Sequence, residues 1–273
     1  MPATRWLWAG GATAPRGGPD PGKDPFVRLQ LSTWQEVEAY LANSTAIIVP
    51  IGSTEQHGPN GLIGTDAICP EAVAQGIGER LGVLVAPTIS VGMAQHHLGF
   101  AGSVTLRPST LMAVVRDTIN SLACHGFDRF YFLNGHGGNI ATVSAAFSEI
   151  YAESSLGTAG ANRPALRCKL RNWWMGPKVD ALSKELYGDA LGSHATPSEV
   201  SLTYYVYPEA VKSVKMTPEI APEGPIYDAE DYRRRFPDGR IGANPALASV
   251  ADGQRLYDAA LEDTIADFEA FVA

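Results

Sequence analysis

The sequence predicts a single α/β domain built on a mainly parallel β-sheet with helices on both faces. The run 46–51, Ala46-Ile47-Ile48-Val49-Pro50-Ile51, is short, β-branched and continuously apolar, as a strand covered on both faces must be. It ends in a glycine-containing turn, and a second apolar run near 128–133 ends the same way before a helical pattern. At 273 residues, with 45% hydrophobic and 18% charged residues, the chain is long enough to bury one full core.

Strand and helix then alternate along the chain. After the first strand, a helix is predicted over 67–80, because Thr65-Asp66 is a good helix start before Ala67-Ile68-Cys69. Strands near 83–87, 103–106, 128–133 and 166–172 continue the sheet. Helices near 109–124, 140–153, 179–187, 198–205 and 248–271 cover it. The glycine at 126, after a histidine at the end of the 109–124 helix, reads as its C-cap. Segment 214–246 carries Pro218, Pro222, Pro225, Pro237 and Pro245, and is expected to lie as loops over a site or at a subunit contact. Residues 1–26 are rich in Gly, Pro and Ala and read as an N-terminal arm, with the domain proper over 27–273.

The net charge of −8 argues against nucleic acid or anionic membranes as partners, since both would repel the chain. No apolar run approaches membrane-spanning length. Cys69, Cys124 and Cys168 are odd in number and set in mostly apolar contexts, which suits reduced core thiols in a cytoplasmic protein. A small-molecule substrate is the expected partner.

Three segments concentrate metal-capable side chains. In Glu55-Gln56-His57, the alternation of extended chain turns Glu55 and His57 the same way and Gln56 the other. Asp66 follows a loop, 58–65, with three glycines and a proline; it reads equally as a helix N-cap and as a further ligand. His136 sits in Asn134-Gly135-His136-Gly137-Gly138-Asn139, a strand-to-helix loop whose glycines let backbone approach a ligand closely. His194 precedes Thr196-Pro197-Ser198-Glu199, which fits a capping box with Pro197 in the first turn and leaves Glu199 within reach of His194.

These three segments resemble the creatininase family of metal-dependent amidohydrolases. The matching residues are Gly52 to Pro59 with Thr65-Asp66, the Asn134–Asn139 loop, and the His194 and Glu199 pair, and the likeness runs from about residue 30 to the end. The resemblance implies two divalent ions per chain, Zn²⁺ or Mn²⁺ with Fe²⁺ as a further option. Glu55, Asp66 and His136 would hold one, His57 and Asp66 the other. Mixed carboxylate and imidazole donors suit those metals. The family's ring assemblies imply a homo-oligomer, a hexamer among the forms.

Two departures stand out. Creatinine-hydrolysing members have a carboxylate ligand where this chain has Gly138, and a tryptophan where it has Ala190. Charge counting offers a replacement for the first: two divalent ions bring four positive charges, Glu55 and Asp66 offset two, and Glu199 with a bridging hydroxide brings the sum to zero. Glu199 is thus read either as the missing ligand or as a proton shuttle. A water between two such ions ionises near neutral pH while the ions polarise a carbonyl, so the expected reaction is hydrolysis of an amide-type C–N bond, in a cyclic amide, lactam or formamide. His194 is the expected proton donor to the leaving nitrogen. His97, in a loop beside His96, and Trp174, after Trp173, are expected to touch substrate, with solvation and core packing as their structural alternatives.

Other classes remain in view. A peptidase or a cyclic-ketone hydrolase fits the same metal centre, because fold and metals constrain chemistry better than substrate. A phosphate-binding module using Gly135–Gly138 at a helix N-terminus is less favoured, since neither the dinucleotide fingerprint nor a P-loop is present.

Overall fold

The computed structural model describes residues 27–157 and 165–273. The predicted arm at 1–26 therefore lies outside the described residues. Four parallel strands form one sheet in the order β2-β1-β3-β4: β1 (Ala46–Ile51), β2 (Leu84–Val85), β3 (Arg129–Asn134) and β4 (Arg167–Asn172). Every residue of β1 is buried, which explains why its sequence shows no polar alternation.

Helices cover both faces, as the sequence predicts. Ile48, Tyr131 and Leu133 point to one side, where they meet α2 (Thr65–Leu81), α5 (Pro177–Tyr187), α6 (Pro197–Val206) and α8 (Val250–Val272). Ile47, Val49, Phe130 and Phe132 point to the other and pack on α3 (Pro108–Ala123) and α4 (Asn139–Ser155). Each fully buried isoleucine here contributes about 1.5–3 kcal/mol by leaving water.

The chain leaves β1 through α2 on one face to reach the edge strand β2, then returns through α3 on the opposite face to β3. The two crossovers therefore diverge between β1 and β3, and the crevice at such a switch point opens at the strands' carboxyl ends. The register pairs Ile51 with Asn134, so the loops that follow β1 and β3 begin side by side.

Three parts of the predicted pattern differ. Residues 103–106 form no strand: Val104 makes one antiparallel bridge with Thr54, and Leu106 N–H donates to the Gly92 carbonyl, so the segment pairs with loops instead of the sheet. α1 (Trp34–Leu41) was not expected, although Thr33 and Glu36 form a capping box at its start. Within the proline-rich 214–246 segment a short helix appears, α7 (Ala229–Arg235), capped by Asp228. Of the cysteines, Cys69 is buried but Cys124 is exposed, because it lies at the solvent-facing end of α3.

Candidate metal centre

Asp66 is not a helix cap. α2 starts at Thr65 with Gly64 in the capping position, so Asp66 lies inside the first turn, and its side chain turns toward two histidines. Its placement depends on two glycines. A β-carbon on Gly52 would fall 2.0 Å from the Asp66 carbonyl oxygen, and one on Gly135 would fall 1.9 Å from it. Only glycines at both strand ends let the N-terminus of α2 wedge between them.

The wedge brings the three segments into one cluster. Asp66 Oδ1 lies 3.1 Å from His57 Nε2, and Asp66 Oδ2 lies 3.0 Å from His136 Nδ1. His136 Nδ1 is also 3.3 Å from Glu55 Oε1. Each histidine's other nitrogen faces a backbone carbonyl: His57 Nδ1 donates to Glu55 O at 3.1 Å, and His136 Nε2 donates to Met93 O at 2.9 Å. Such bonds fix the ring and leave the remaining nitrogen for a cation.

Glu199 enters from α6. Its Oε1 accepts the Thr196 backbone N–H, completing the expected capping box, while its Oε2 lies 3.9 Å from His57 Nε2. His194 Nδ1 faces Glu55 Oε1 at 3.9 Å, and His194 Nε2 lies 2.9 Å from the Gln56 carbonyl. Ala195, between these two residues, is held at φ 54°, a strained conformation for a residue with a β-carbon.

Five of the chain's six histidines meet here. His97 stacks on His194 at 4.4 Å between ring centres, His96 lies 4.2 Å from His97, and His57 lies 4.8 Å from His194. His97 Nε2 is 3.0 Å from Glu55 Oε1. Periodicity could not have shown this grouping, because His96 and His97 come from a short turn, Gln95–His97, distant in sequence from the other segments.

The residues fit a bound divalent cation. Both oxygens of Glu55 and Asp66 Oδ2 are buried without a hydrogen-bond partner. Among the described residues no lysine or arginine pairs with Glu55, Asp66 or Glu199, so protonated histidines supply the only neutralising charge. With metal–donor bonds of about 2.0–2.2 Å, donors on one ion stand roughly 3 Å apart, as His136 Nδ1 does from Glu55 Oε1 and from Asp66 Oδ2.

Ionisation follows the same charge balance. Burial pushes the Glu55 carboxyl up to about 7, with Asp66 adding to the rise. Burial likewise raises Glu199 to about 7, against the pull of His57. For His57 burial favours the neutral ring, but Asp66 and then Glu199 outweigh it and raise it to about 10. His136 rises to about 9 for the same reason, through Glu55 and Asp66. Burial also opposes the charge on Asp66, yet the two histidines hold it well below the usual carboxylate range. Burial and neighbouring histidines push His97 down to about 2 and hold His194 well below its ordinary value, so both rings are neutral.

A cavity of about 410 Å³ opens onto the cluster. Asp66, His136, His194 and Glu199 line one part of it, and Trp173 and Trp174 another, with Asp180 and Ser183 of α5 nearby. Trp173 is also part of the core, and Trp174 packs against it. Glu55, His57 and His97 are not among the lining residues and are at most 1% exposed. Gly138 is closely surrounded: a β-carbon there would meet His136 Nε2 at 2.4 Å and Met93 O at 2.5 Å. Ala190 is buried in the turn Gly188–Ala190, one residue before the cavity wall begins at Leu191. The expected cover is present, because Tyr232 of α7 and Gly239 both contact Gln56. No helix among the described residues is long and apolar enough to cross a membrane.

Known proteins resemble this chain in sequence and in fold. The sequence profile of the family described as creatininase, creatinine amidohydrolase, matches residues 30–268. The chain is 28% identical to a mycofactocin precursor peptide peptidase of Mycobacterium ulcerans (strain Agy99), over 81% of this chain and 83% of that protein. It is 31% identical to a creatinine amidohydrolase of Pseudomonas putida, over 72% and 78% of the two chains. It is 28% identical to a 3-dehydro-scyllo-inosose hydrolase of Thermotoga maritima (strain ATCC 43589 / DSM 3109 / JCM 10099 / NBRC 100826 / MSB8), over 86% and 80%. A solved manganese creatininase superposes with a TM-score of 0.77 at 25% identity, and a mutant creatininase solved in its Zn–Zn form does so with 0.77 at 26%; each match covers 90% of this chain and 99% of the other. With the profile matching residues 30–268 and the fold shared over 90% of the chain, the chain belongs to the creatininase family.

Proposed function

We propose that this chain is a two-metal hydrolase that cleaves an amide-type C–N bond in a small polar molecule. The observation that supports it best is the Asp66 carboxylate, whose two oxygens face His57 and His136 separately, the arrangement a bridging ligand needs. Glu55, Asp66 and His136 would hold one ion. His57, Asp66 and Glu199 would hold the other, with Glu199 Oε2 replacing the carboxylate that the surroundings of Gly138 exclude. When bound, the two cations supply the Lewis acidity that lowers the pKa of water and polarises a substrate carbonyl.

The chain's own residues complete the chemistry. With His194 Nε2 donating to the Gln56 carbonyl, Nδ1 is the nitrogen free to accept a proton and return it to the leaving nitrogen. Trp173 and Trp174 present an apolar wall to the substrate, and Asp180 and Ser183 supply polar contacts. The relatives act on a peptide and a cyclic ketone as well as creatinine, so a peptidase or ketone hydrolase is the second reading.

The test is to measure bound metal in protein purified without chelators and then assay creatinine, lactams, N-formyl compounds, short peptides and cyclic polyol ketones. Turnover of a lactam or N-formyl compound is expected, and creatinine should be poor because Ala190 and Gly138 remove a stacking wall and a carboxylate. Creatinine turnover at about 10⁴ M⁻¹s⁻¹ or above, an ordinary enzyme efficiency, would overturn the substrate reading. A metal-free yet active protein would overturn the mechanism.

A further inference from the structure

Gln56 points away from its neighbours Glu55 and His57, as alternation requires, and is only 7% exposed. Its carboxamide can sit in one orientation only. Gln56 Oε1 accepts the Gly58 backbone N–H at 2.9 Å, and Gln56 Nε2 donates to the Gly239 carbonyl at 2.9 Å. Both backbone groups have fixed polarity, so exchanging the amide oxygen and nitrogen would break both bonds.

One amide proton is left, and two imidazole nitrogens lie 2.9 Å from Gln56 Nε2: His97 Nδ1 and His194 Nε2. His194 Nε2 also lies 2.9 Å from the Gln56 backbone carbonyl, an acceptor that needs a donor. Placing a proton on His194 Nε2 satisfies that carbonyl and sends the amide proton to His97 Nδ1. Any other assignment leaves the carbonyl or His97 Nδ1 unpaired in a buried site, at a cost of about 1–3 kcal/mol. With Nδ1 accepting the amide proton, the His97 ring must carry its own proton on Nε2, the nitrogen 3.0 Å from Glu55 Oε1.

We propose that Gln56 and His97 form a positioning pair: the Gln56 carboxamide selects the Nε2–H tautomer of His97, which sets the positive edge of the ring 3.0 Å from Glu55 Oε1, off the line of a hydrogen bond, and holds the carboxylate toward the cluster by charge–dipole attraction. His97 is then no metal ligand, although donor atoms of Glu55, His97 and His194 all lie within 4.8 Å of one another. A ring nitrogen that carries a proton has no lone pair to give. Packing keeps the His97 plane in place, with His194 at 4.4 Å on one side and Tyr232 edge-on at 4.7 Å. Tyr232 Oη donates to the same Gly239 carbonyl at 2.8 Å, so α7 fixes the acceptor that orients Gln56. The proposal rests on reading Glu55 as a metal ligand, but the tautomer can be measured without any assay of hydrolysis.

The experiment is a long-range ¹H–¹⁵N correlation spectrum of full-length, zinc-loaded protein labelled at histidine, with His97 assigned from its loss in His97→Gln. The Nε2–H pattern is expected; a Nδ1–H or zinc-bound His97 overturns the proposal. Gln56→Met keeps the length of the side chain without its donor, and should abolish the single-tautomer pattern; an unchanged His97 pattern also overturns it. Zinc affinity by competition with a chromophoric chelator gives a second readout. His97→Gln keeps an N–H near Glu55 and should stay close to the unsubstituted protein, whereas His97→Leu should lose about 10–100-fold, the usual cost of losing such an outer partner. Equal zinc affinity in His97→Leu and His97→Gln overturns the positioning role. A correct tautomer in a protein that hydrolyses nothing would sink the hydrolase reading alone.

Discussion

Glu199 and His57 face each other across 3.9 Å, carboxylate Oε2 to imidazole Nε2, while the other carboxylate oxygen caps α6 through Thr196. One side chain thus serves both the helix and the cluster. Glu199→Gln keeps a capping oxygen and removes the charge. If Glu199 is a ligand, metal analysis will show occupancy falling toward one ion per chain with little change in melting temperature. Full occupancy with a large loss of turnover would assign it to proton transfer instead.

Asp66 is the residue both candidate sites share. Asp66→Ala should remove both ions together, since one carboxylate oxygen faces each histidine. Titration with zinc should show no high-affinity site left. Retention of one ion at full affinity would show that Asp66 does not bridge.

Restoring a side chain at Gly138 should harm the protein. The backbone there is ordinary, at φ −62°, so the obstacle is space: a β-carbon would collide with the bond between His136 Nε2 and Met93 O. Overpacking of this kind costs about 1–3 kcal/mol, and at about 2–4 °C per kcal/mol Gly138→Ala should lower the melting temperature measurably. Gly138→Glu should do so further and should not raise metal affinity. A stable Gly138→Glu protein with tighter metal binding would contradict this packing argument.

The metal-free protein should lose stability as pH rises from about 7 to about 10. His57 at about 10 and His136 at about 9 lie above their ordinary 6.5, so the folded state holds these protons more tightly than the unfolded chain. Their contribution is complete below 6.5 and disappears as pH passes through 9 and 10. Glu55 and Glu199, raised to about 7, have already exacted their cost above that pH. Thermal melts in chelator across this range check the direction. By the same linkage, zinc binding at pH 8 should release about three protons per chain, one from each histidine and one from the water ionised between the ions, measurable by calorimetry in buffers of different ionisation enthalpy.

Sheet and helix positions were legible because local periodicity carries them. The apolar run Ala46–Ile51 could only be a doubly covered strand, and Thr196 to Glu199 could only start a helix. α1 went unpredicted although Thr33 and Glu36 of its capping box stand in the sequence, while α7 is short and lies among prolines that mask its signal.

By itself, the sequence determined the parallel α/β architecture, the alternation that turns Glu55 and His57 away from Gln56, and the metal-capable residues at strand ends. Tertiary structure alone decided that Asp66 is no cap, that Gly138 has no room for a carboxylate, and that His97 meets Glu55 and Gln56. The contacts of Gln56 with His97 and His194 span 41 and 138 residues. Such contacts depend on the sheet register that sets Ile51 beside Asn134 and on the wedge of α2 between Gly52 and Gly135. Local periodicity contains neither, because each depends on how distant segments close around one crevice.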